Sequence, residues 1–491
     1  MAFSRQCLSI ACHSPKAPHI GRHGPQTTKL ALMALPSPFT AKELERSRPF
    51  DRYLVLEGEA GNAAVDALVA ALEVWETAGG HIDSRTGEVL ERKRARKATD
   101  VAALRSSMSA VAANLFALER HRSRLGQFLA IGFAHGEYPL CGPLVDRYRR
   151  SELTANALVT VRGFLVGADL VDFVGGFRKP DGSLSRLSRM RARAALVETL
   201  EAHGVTLANV GSSPLRELVI LKGTAPTRRA AKPLLPYDET DKTREWREKL
   251  GRVNALLEAA SIDYPAGVSL ESLEEPIEEI AGDLTAKTLH RVFNDGRWDH
   301  GGRLYGGHWE CAPKAWRRRL TIDGETTAEL DFKALHPCIL YGRLGLPMEG
   351  DPYVVEIDGE EVCRDLGKVT FQRLLNGTTK AAKLRPAPGD LERLPKGVRF
   401  GRYAVALHDK HAPIAHLFGT SEGVRLQFMD SQMVMEVLAD LSLGRGIVAL
   451  PVHDSFIVQA RHKEALRTSM RSAFRKVVGM GIEPVIEESG T

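Results

Sequence analysis

Two apolar, strand-like runs in the C-terminal half each end in an aspartate, and any fold must accommodate both. One reads Ala328-Glu-Leu-Asp331-Phe-Lys-Ala-Leu-His336-Pro337, the other Leu450-Pro-Val-His453-Asp454-Ser455-Phe456-Ile-Val. Short apolar runs bounded by turn-forming residues mark strands. A carboxylate raised on the end of a rigid strand suits a hard divalent cation. Two of them brought together across a sheet can hold a pair of Mg2+ ions, or Mn2+ in their place, for in-line phosphoryl transfer.

At 491 residues the chain is too long for a single core, so two or three domains are expected. No apolar run approaches the length of a bilayer span, so a membrane-spanning chain is not expected. The net charge of +6 permits a polyanionic partner without requiring one. The six cysteines lie far apart with no Cys-x-x-Cys pair, which argues against a structural zinc site or a disulfide framework and fits a reducing cytoplasm.

Residues 1–42 contain no acidic residue and mix Arg5, Lys16, Arg22 and Lys29 with Ser, His and Pro. An organellar transit peptide, a basic arm and translated upstream sequence before Met33 are the competing readings; prolines around Ser14–Pro25 spoil an amphipathic helix and favour a disordered tail. Residues 43–235 read as an α-rich region. Within it, about 151–203 runs helix, strand, Gly-rich basic turn, strand, helix, the order of a winged-helix module. Arg178, Lys179, Arg186 and Arg189 fall on or beside its turn, where they can reach phosphates. Their bland reading is a solvated arginine face, as it is for the run Glu91-Arg-Lys-Arg-Ala-Arg-Lys97. The Pro- and Arg-rich stretch Arg228–Pro236 reads as a linker, which puts the domain boundary near residue 235.

From residue 236 onward four motifs follow in order: Asp299-His-Gly-Gly302-Arg303; the Asp331 strand; Arg364-Asp-Leu-Gly-Lys368 leading to Asn376-Gly377; and His453-Asp454-Ser455. In this the chain resembles the single-subunit nucleic-acid polymerases of the family A superfamily, which includes the phage-type and mitochondrial RNA polymerases. The resemblance covers roughly Asp241 to the C-terminus. The first signature of that group is Thr or Asp, two residues, then Gly-Arg. Motif A is a strand ending in a metal-binding Asp, here Asp331. Motif B is Arg, three residues, Lys, seven residues, Tyr-Gly, and here Asn376 replaces the Tyr. Motif C is His-Asp followed by Glu or Ser. Each motif alone is common by chance; their order carries the resemblance.

The resemblance implies an α+β fold, a polymerase palm with helical fingers and thumb. It implies Asp331 and Asp454 as ligands of two Mg2+ ions, and Arg364 and Lys368, one helical turn apart, as the grip on a nucleoside triphosphate, with Lys368 protonating the pyrophosphate. His336 and Asn376 then lie beside the nucleotide, Arg303 and His453 on the primer–template, and Gln427 in the minor groove of the product duplex. Taken singly, each residue has a structural alternative: a turn cap for either Asp, a solvated face for Arg364 and Lys368, a surface Arg303, a core His336, a helix end at Asn376, and packing for the helix of Gln427.

On the choice of sugar the motifs oppose one another. A bulky side chain five residues after the motif A Asp excludes a ribose 2′-hydroxyl in DNA-making members, and His336 holds that position. The strand also resembles motif A of family B DNA polymerases, but the Asp-x-Asp motif C of that group is absent. His-Asp-Ser-Phe, by contrast, is the RNA-polymerase form of motif C. Steric exclusion is the more direct mechanism, which favours a DNA polymerase acting on a DNA primer–template (or an RNA/DNA one), with a single-subunit RNA polymerase or primase as the alternative. A non-catalytic nucleic-acid-binding replication or regulatory protein is the reading from another class. Every Asp-x-Glu noted lies in the polymerase half, so a proofreading exonuclease is not expected.

Overall fold

The computed structural model describes residues 38–79, 94–120, 127–133, 138, 145–148, 152–178, 185–227, 232–265, 286–377, 379–479 and 482–489. They belong to two compact units, the first reaching Glu217 and the second taking Leu218–Val268 and Ala286–Thr491. The division therefore falls before the Pro- and Arg-rich stretch rather than near residue 235. The cause is a three-residue strand, Val219–Leu221, which pairs in parallel with His290–Asn294. Beyond that strand Gly223 N–H donates to Pro233 O at 2.8 Å and Leu235 N–H to Leu221 O at 2.9 Å, so the described residues 232–236 are held in the second unit.

In the first unit α1 (Gly58–Thr77), α2 (Ala98–Arg120) and α3 (Ala155–Gly167) converge on one core. Val65, Leu68, Val69 and Leu72 recur at helical spacing on α1, as do Leu104, Met108, Val111, Leu115 and Leu118 on α2. Contrary to the sequence reading, α2 is long and apolar enough to cross a bilayer; 72% of its apolar window is buried inside the protein, so its apolarity is core packing. Thr154 starts α3 by accepting a hydrogen bond from Ala157 N–H.

The helix–strand–strand–helix order expected at 151–203 is present: α3, Val171–Val174, Ser188–Ala192, then α4 (Ala194–Ala202). Between these two strands Phe177–Arg178 pairs with Ser185–Arg186 in a two-stranded sheet of its own, and 179–184 lie outside the described residues. Ser188–Ala192 is an inner strand, paired with Val171–Val174 on one side and Phe128–Ile131 on the other, with Ser47–Pro49 at the far edge.

The second unit is built on an antiparallel sheet. Its middle is β1 (Glu325–Phe332), flanked by β3 (Ser455–Gln459), which continues from β2 (Leu450–Val452) through a two-residue turn. Ile486–Glu488 pairs along the other side of β1 at Leu330, Asp331 and Phe332. Buried Leu330, Phe456, Ile457 and Val458 form the sheet's share of the core, and the helix Lys463–Val478 closes it with Leu466, Met470 and Phe474. Helices α5 (Leu335–Arg343), α6 (Arg364–Asn376), α7 (Phe400–Lys410) and α8 (Glu422–Leu438) also belong to the unit, as do the helix Asp241–Ala259 and a second sheet in which Arg297–Tyr305 pairs with His290–Asn294. Both units mix helices with largely antiparallel sheets, an α+β chain.

Candidate active site

Register places the two aspartates together. Asp331 pairs with Ser455 across β1 and β3, so Asp454, one residue earlier in the β2–β3 turn, sits beside it. Asp454 O accepts a hydrogen bond from Phe332 N–H at 3.4 Å. His453, the other turn residue, holds φ +58°, a left-handed conformation that the tight turn demands of a non-glycine residue. Asp331 Oδ1 is buried without a hydrogen-bond partner. Burial, then the Asp454 charge, push the Asp331 carboxyl up to about 7, with Lys368 and Lys314 acting against the rise. A polar oxygen left unpaired beside a like charge is costly unless a cation answers it. Among the described residues no group of three or more His, Cys, Asp or Glu is gathered for a metal, so the available donors are this carboxylate pair. A pair suits Mg2+, which keeps several waters and takes one or two carboxylates together with substrate phosphates.

Glu329 lies two residues before Asp331, hence on the same face of the strand. It is buried, pairs with Arg317 at 2.8 Å and accepts from Ser455 Oγ at 3.0 Å. This spends Ser455 and Glu329 on fixing β3 against β1. Strand alternation alone could have pointed to Glu329; nothing local marks Lys314.

Lys368 is exposed on α6, and its charge reaches Asp331, as the sequence reading requires. Arg364, one turn earlier, is already engaged: its Nε donates to Asp351 at 2.6 Å and its guanidinium lies over the Tyr353 ring at 5.2 Å. It can reach a triphosphate only by leaving that carboxylate. Gly367 lets this segment lie on α6, because a Cβ there would meet Tyr353 O at 1.7 Å.

Arg303 departs from expectation. Instead of projecting outward it is mostly buried and paired with Asp430 of α8, with Nε 3.0 Å from Oδ2. Burial alone would raise the Asp430 carboxyl; Arg303 and His336 more than offset it and hold the carboxyl low. The paired Gly301 and Gly302, at φ +75° and +78°, allow the close approach, since a Cβ on Gly302 would meet Ser431 Oγ at 2.9 Å. Arg291, fully buried beneath, donates to Gly302 O at 2.7 Å and Ser431 Oγ at 2.9 Å and stacks on Trp246 and Phe293. Asp430 and Arg291 were not among the expected site residues.

His336 also faces Asp430, with Nε2 3.4 Å from Oδ2, and its Nδ1 lies 3.1 Å from Gln372 Nε2. An amide nitrogen only donates, so Nδ1 accepts and Nε2 carries the proton toward Asp430. Asn376 Nδ2 donates to Gln372 O at 3.0 Å, and Gly423 of α8 leaves it room. Gln427 lies on α8 one turn before Asp430 and is partly exposed. His453 is exposed, edge-on to Tyr305 at 6.3 Å, with its pKa lowered by the surrounding protein and then by Arg303.

Of the four basic residues expected beside the turn, Arg186 and Arg189 have described side chains. Arg189 is part-buried and donates to Leu44 O at 2.7 Å and Leu187 O at 3.0 Å. Arg186 stacks over Phe177 at 5.2 Å. Arg178 stands in a two-residue strand paired to Ser185–Arg186, and Lys179 lies outside the described residues. In the run at 91–97, where only 94–97 are described, Arg96 pairs with Glu76 at 2.7 Å.

Comparison with models of known protein families gives no match, and comparison with curated protein sequences gives none either.

Proposed function

We propose that the second unit is a template-directed nucleotidyltransferase of the family A-like kind, a DNA polymerase in its most concrete form. The observation that carries this reading is the Asp331–Asp454 pair, one oxygen of it buried and unpartnered, with the Lys368 charge reaching it. In the same reading the β1–β3 sheet is the palm, and α6 and α7 belong to the fingers.

Asp331 and Asp454 would hold the divalent ions, which supply activation of a primer 3′-hydroxyl and charge stabilisation on the phosphates when bound. The primer 3′-hydroxyl releases its proton to solvent as its oxygen bonds the α-phosphorus, the bond to the pyrophosphate oxygen breaks, and Lys368 gives the departing pyrophosphate a proton. His336 stands five residues beyond Asp331 as the side chain that meets the sugar. The His-Asp-Ser motif keeps an RNA polymerase or primase as the second reading.

Primer extension by the full chain with Mg2+ and separate dNTP and NTP pools tests this. Extension that Asp331→Ala and Asp454→Ala both abolish, with the fold intact, is the expected result. Preference for NTPs moves the assignment to RNA synthesis. Absence of incorporation from either pool, on primed and unprimed templates, leaves a non-catalytic nucleic-acid-binding protein.

A further inference from the structure

Directly after α6 the chain forms an irregular strap, residues 379–399, before α7 begins at Phe400. Six of its side chains are cationic and exposed: Lys380, Lys383, Arg385, Arg393, Lys396 and Arg399. The strap has two carboxylates, and they are used differently. Asp390 is buried and turned inward, accepting from Arg373 Nη1 at 2.8 Å and from Ala387 N–H at 2.7 Å. Only Glu392 is left outside to oppose the six cations. The next arginine, Arg402, is neutralised by Asp358 at 2.7 Å. Among the described residues many surface arginines of the second unit are matched with acids in this way, although the exposed Arg252, Arg318, Arg319 and Arg471 are not; the strap differs in gathering six unmatched cations on one short segment.

The strap is also held in shape. Arg373 ties α6 to Asp390 and to Arg385 O and stacks over Phe400 at 5.4 Å. Pro386, Pro388 and Pro395 fix their backbone angles, and Gly389 and Gly397 turn the chain at φ +82° and +84°. Like charges on a flexible loop would spread apart; here they are presented together on a pre-shaped edge, which lowers the ordering cost of binding. The strap carries no aromatic residue, and Phe400, which follows it, is buried, so base stacking has no platform here.

We propose that residues 380–399 bind the phosphodiester backbone of a nucleic acid, without reading its sequence. The identity of the polyanion rests on the nucleotidyl-transfer reading; the surface itself does not. A single strand and a duplex offer the same phosphates, so the test carries both.

The experiment measures fluorescence anisotropy of labelled single strand, blunt duplex and 5′-overhang primer–template with the full chain. It is done in chelator without nucleotides, across a salt series, so that catalysis is not needed. Lys380→Ser, Lys383→Ser, Lys396→Ser and Arg399→Ser combined should weaken binding at least tenfold. The slope of log affinity against log salt should fall by about 3.6 on duplex, at roughly 0.9 for each of the four lost phosphate contacts, and by less on single strand. The probe that loses most identifies the bound form. Because these side chains have no internal partner, the melting midpoint should stay put; should it drop, the four single variants must each lower the slope. Unchanged affinity and slope on all three probes overturns the proposal. So does a variant that loses binding to anionic vesicles while keeping nucleic acid. If the wild type extends primers but strap variants bind normally, the strap alone fails. If binding depends on the strap and no pool is incorporated, nucleotidyl transfer alone fails.

Discussion

His336 and Asp430 meet across α5 and α8, with the imidazole Nε2 3.4 Å from a carboxylate that Arg303 also holds. Asp430 is buried and fully engaged, so it is a fixed reference for both partners. Gln372 holds the opposite edge of the ring from α6. One imidazole thus joins three helices, and what happens to α6 is felt at His336.

The carboxylate pair makes a prediction about stability as well as activity. With no cation, Asp331 and Asp454 repel each other and Asp331 Oδ1 lacks a partner. Asp331→Asn removes one charge and should stabilise the metal-free protein by on the order of 1–3 kcal/mol. It should at the same time abolish incorporation and the upward shift in melting temperature that Mg2+ gives the wild type. Differential scanning fluorimetry in chelator and in Mg2+ checks both. A variant that melts below the wild type in chelator contradicts the assignment of strain to this pair.

Arg291 makes a second. Burial pulls its pKa down to about 9, leaving it charged at neutral pH, and its Nη1 lacks a hydrogen-bond partner. Its bonds to Gly302 O and Ser431 Oγ brace α8 against the strand that carries Arg303. Arg291→Ala should cost about 3–5 kcal/mol, from the cavity and the orphaned acceptors. Arg291→Met, which fills the space between Trp246 and Phe293, should cost clearly less. Urea unfolding of both variants decides it; equal losses would mean that the hydrogen bonds, rather than the packing, carry the effect.

What was legible in the sequence follows from the range of each signal. Period-two apolarity ending in Asp331, and the His453-Asp454 turn, are local patterns, and the sheet register joined them as expected. The spacing from Arg364 to Lys368 likewise fixed one face of α6. Partners were not legible. Asp430 lies 127 residues from Arg303, and a helical face does not say which of its polar residues turns inward. The periodicity of α8 thus gave no sign that Asp430, one turn beyond Gln427, is the partner of Arg303. Arg364 looked free because its captor, Asp351, sits in a turn with no periodic pattern. The boundary near residue 235 failed for a similar reason: three residues of strand, Val219–Leu221, are too few to announce themselves before a proline-rich loop.

A pH response should come from His411, which is buried between α5 and α6. Its Nε2 donates to Pro352 O at 2.8 Å and its Nδ1 accepts from Tyr341 O–H at 3.1 Å. Burial holds its pKa down to about 4, against an unfolded value near 6.5. The unfolded chain therefore binds the extra proton first as pH falls. The stabilising contribution is complete above about pH 6.5 and is lost progressively down to about pH 4, by up to about 3 kcal/mol. His411→Gln keeps a donor for Pro352 O and cannot titrate, so its unfolding midpoint should change less between pH 7.5 and 4.5 than that of the wild type. Parallel pH profiles for the two proteins would remove His411 as the source.

The sugar choice rests on His336 and on what holds it. If its ring blocks a 2′-hydroxyl, His336→Ala should raise NTP incorporation while changing dNTP incorporation less. A few kcal/mol of exclusion corresponds to a preference of roughly a hundredfold. A ring pinned by Asp430 and Gln372 blocks better than one free to swing, so Gln372→Ala should relax the preference part of the way, by about tenfold. The side-chain contacts of Gln372 are to His336 and Asn376, so the dNTP rate should hold, whereas Asp430→Asn also frees Arg303 and should lower both rates. The alternative is that His336 donates to the 2′-hydroxyl. Nε2–H already points at Asp430, so that role requires the ring to leave its partner, and His336→Ala would then lower NTP use selectively. The NTP-to-dNTP ratio measured for wild type, His336→Ala and Gln372→Ala separates the two. A ratio that falls in His336→Ala assigns the histidine to ribose binding and ends the exclusion reading.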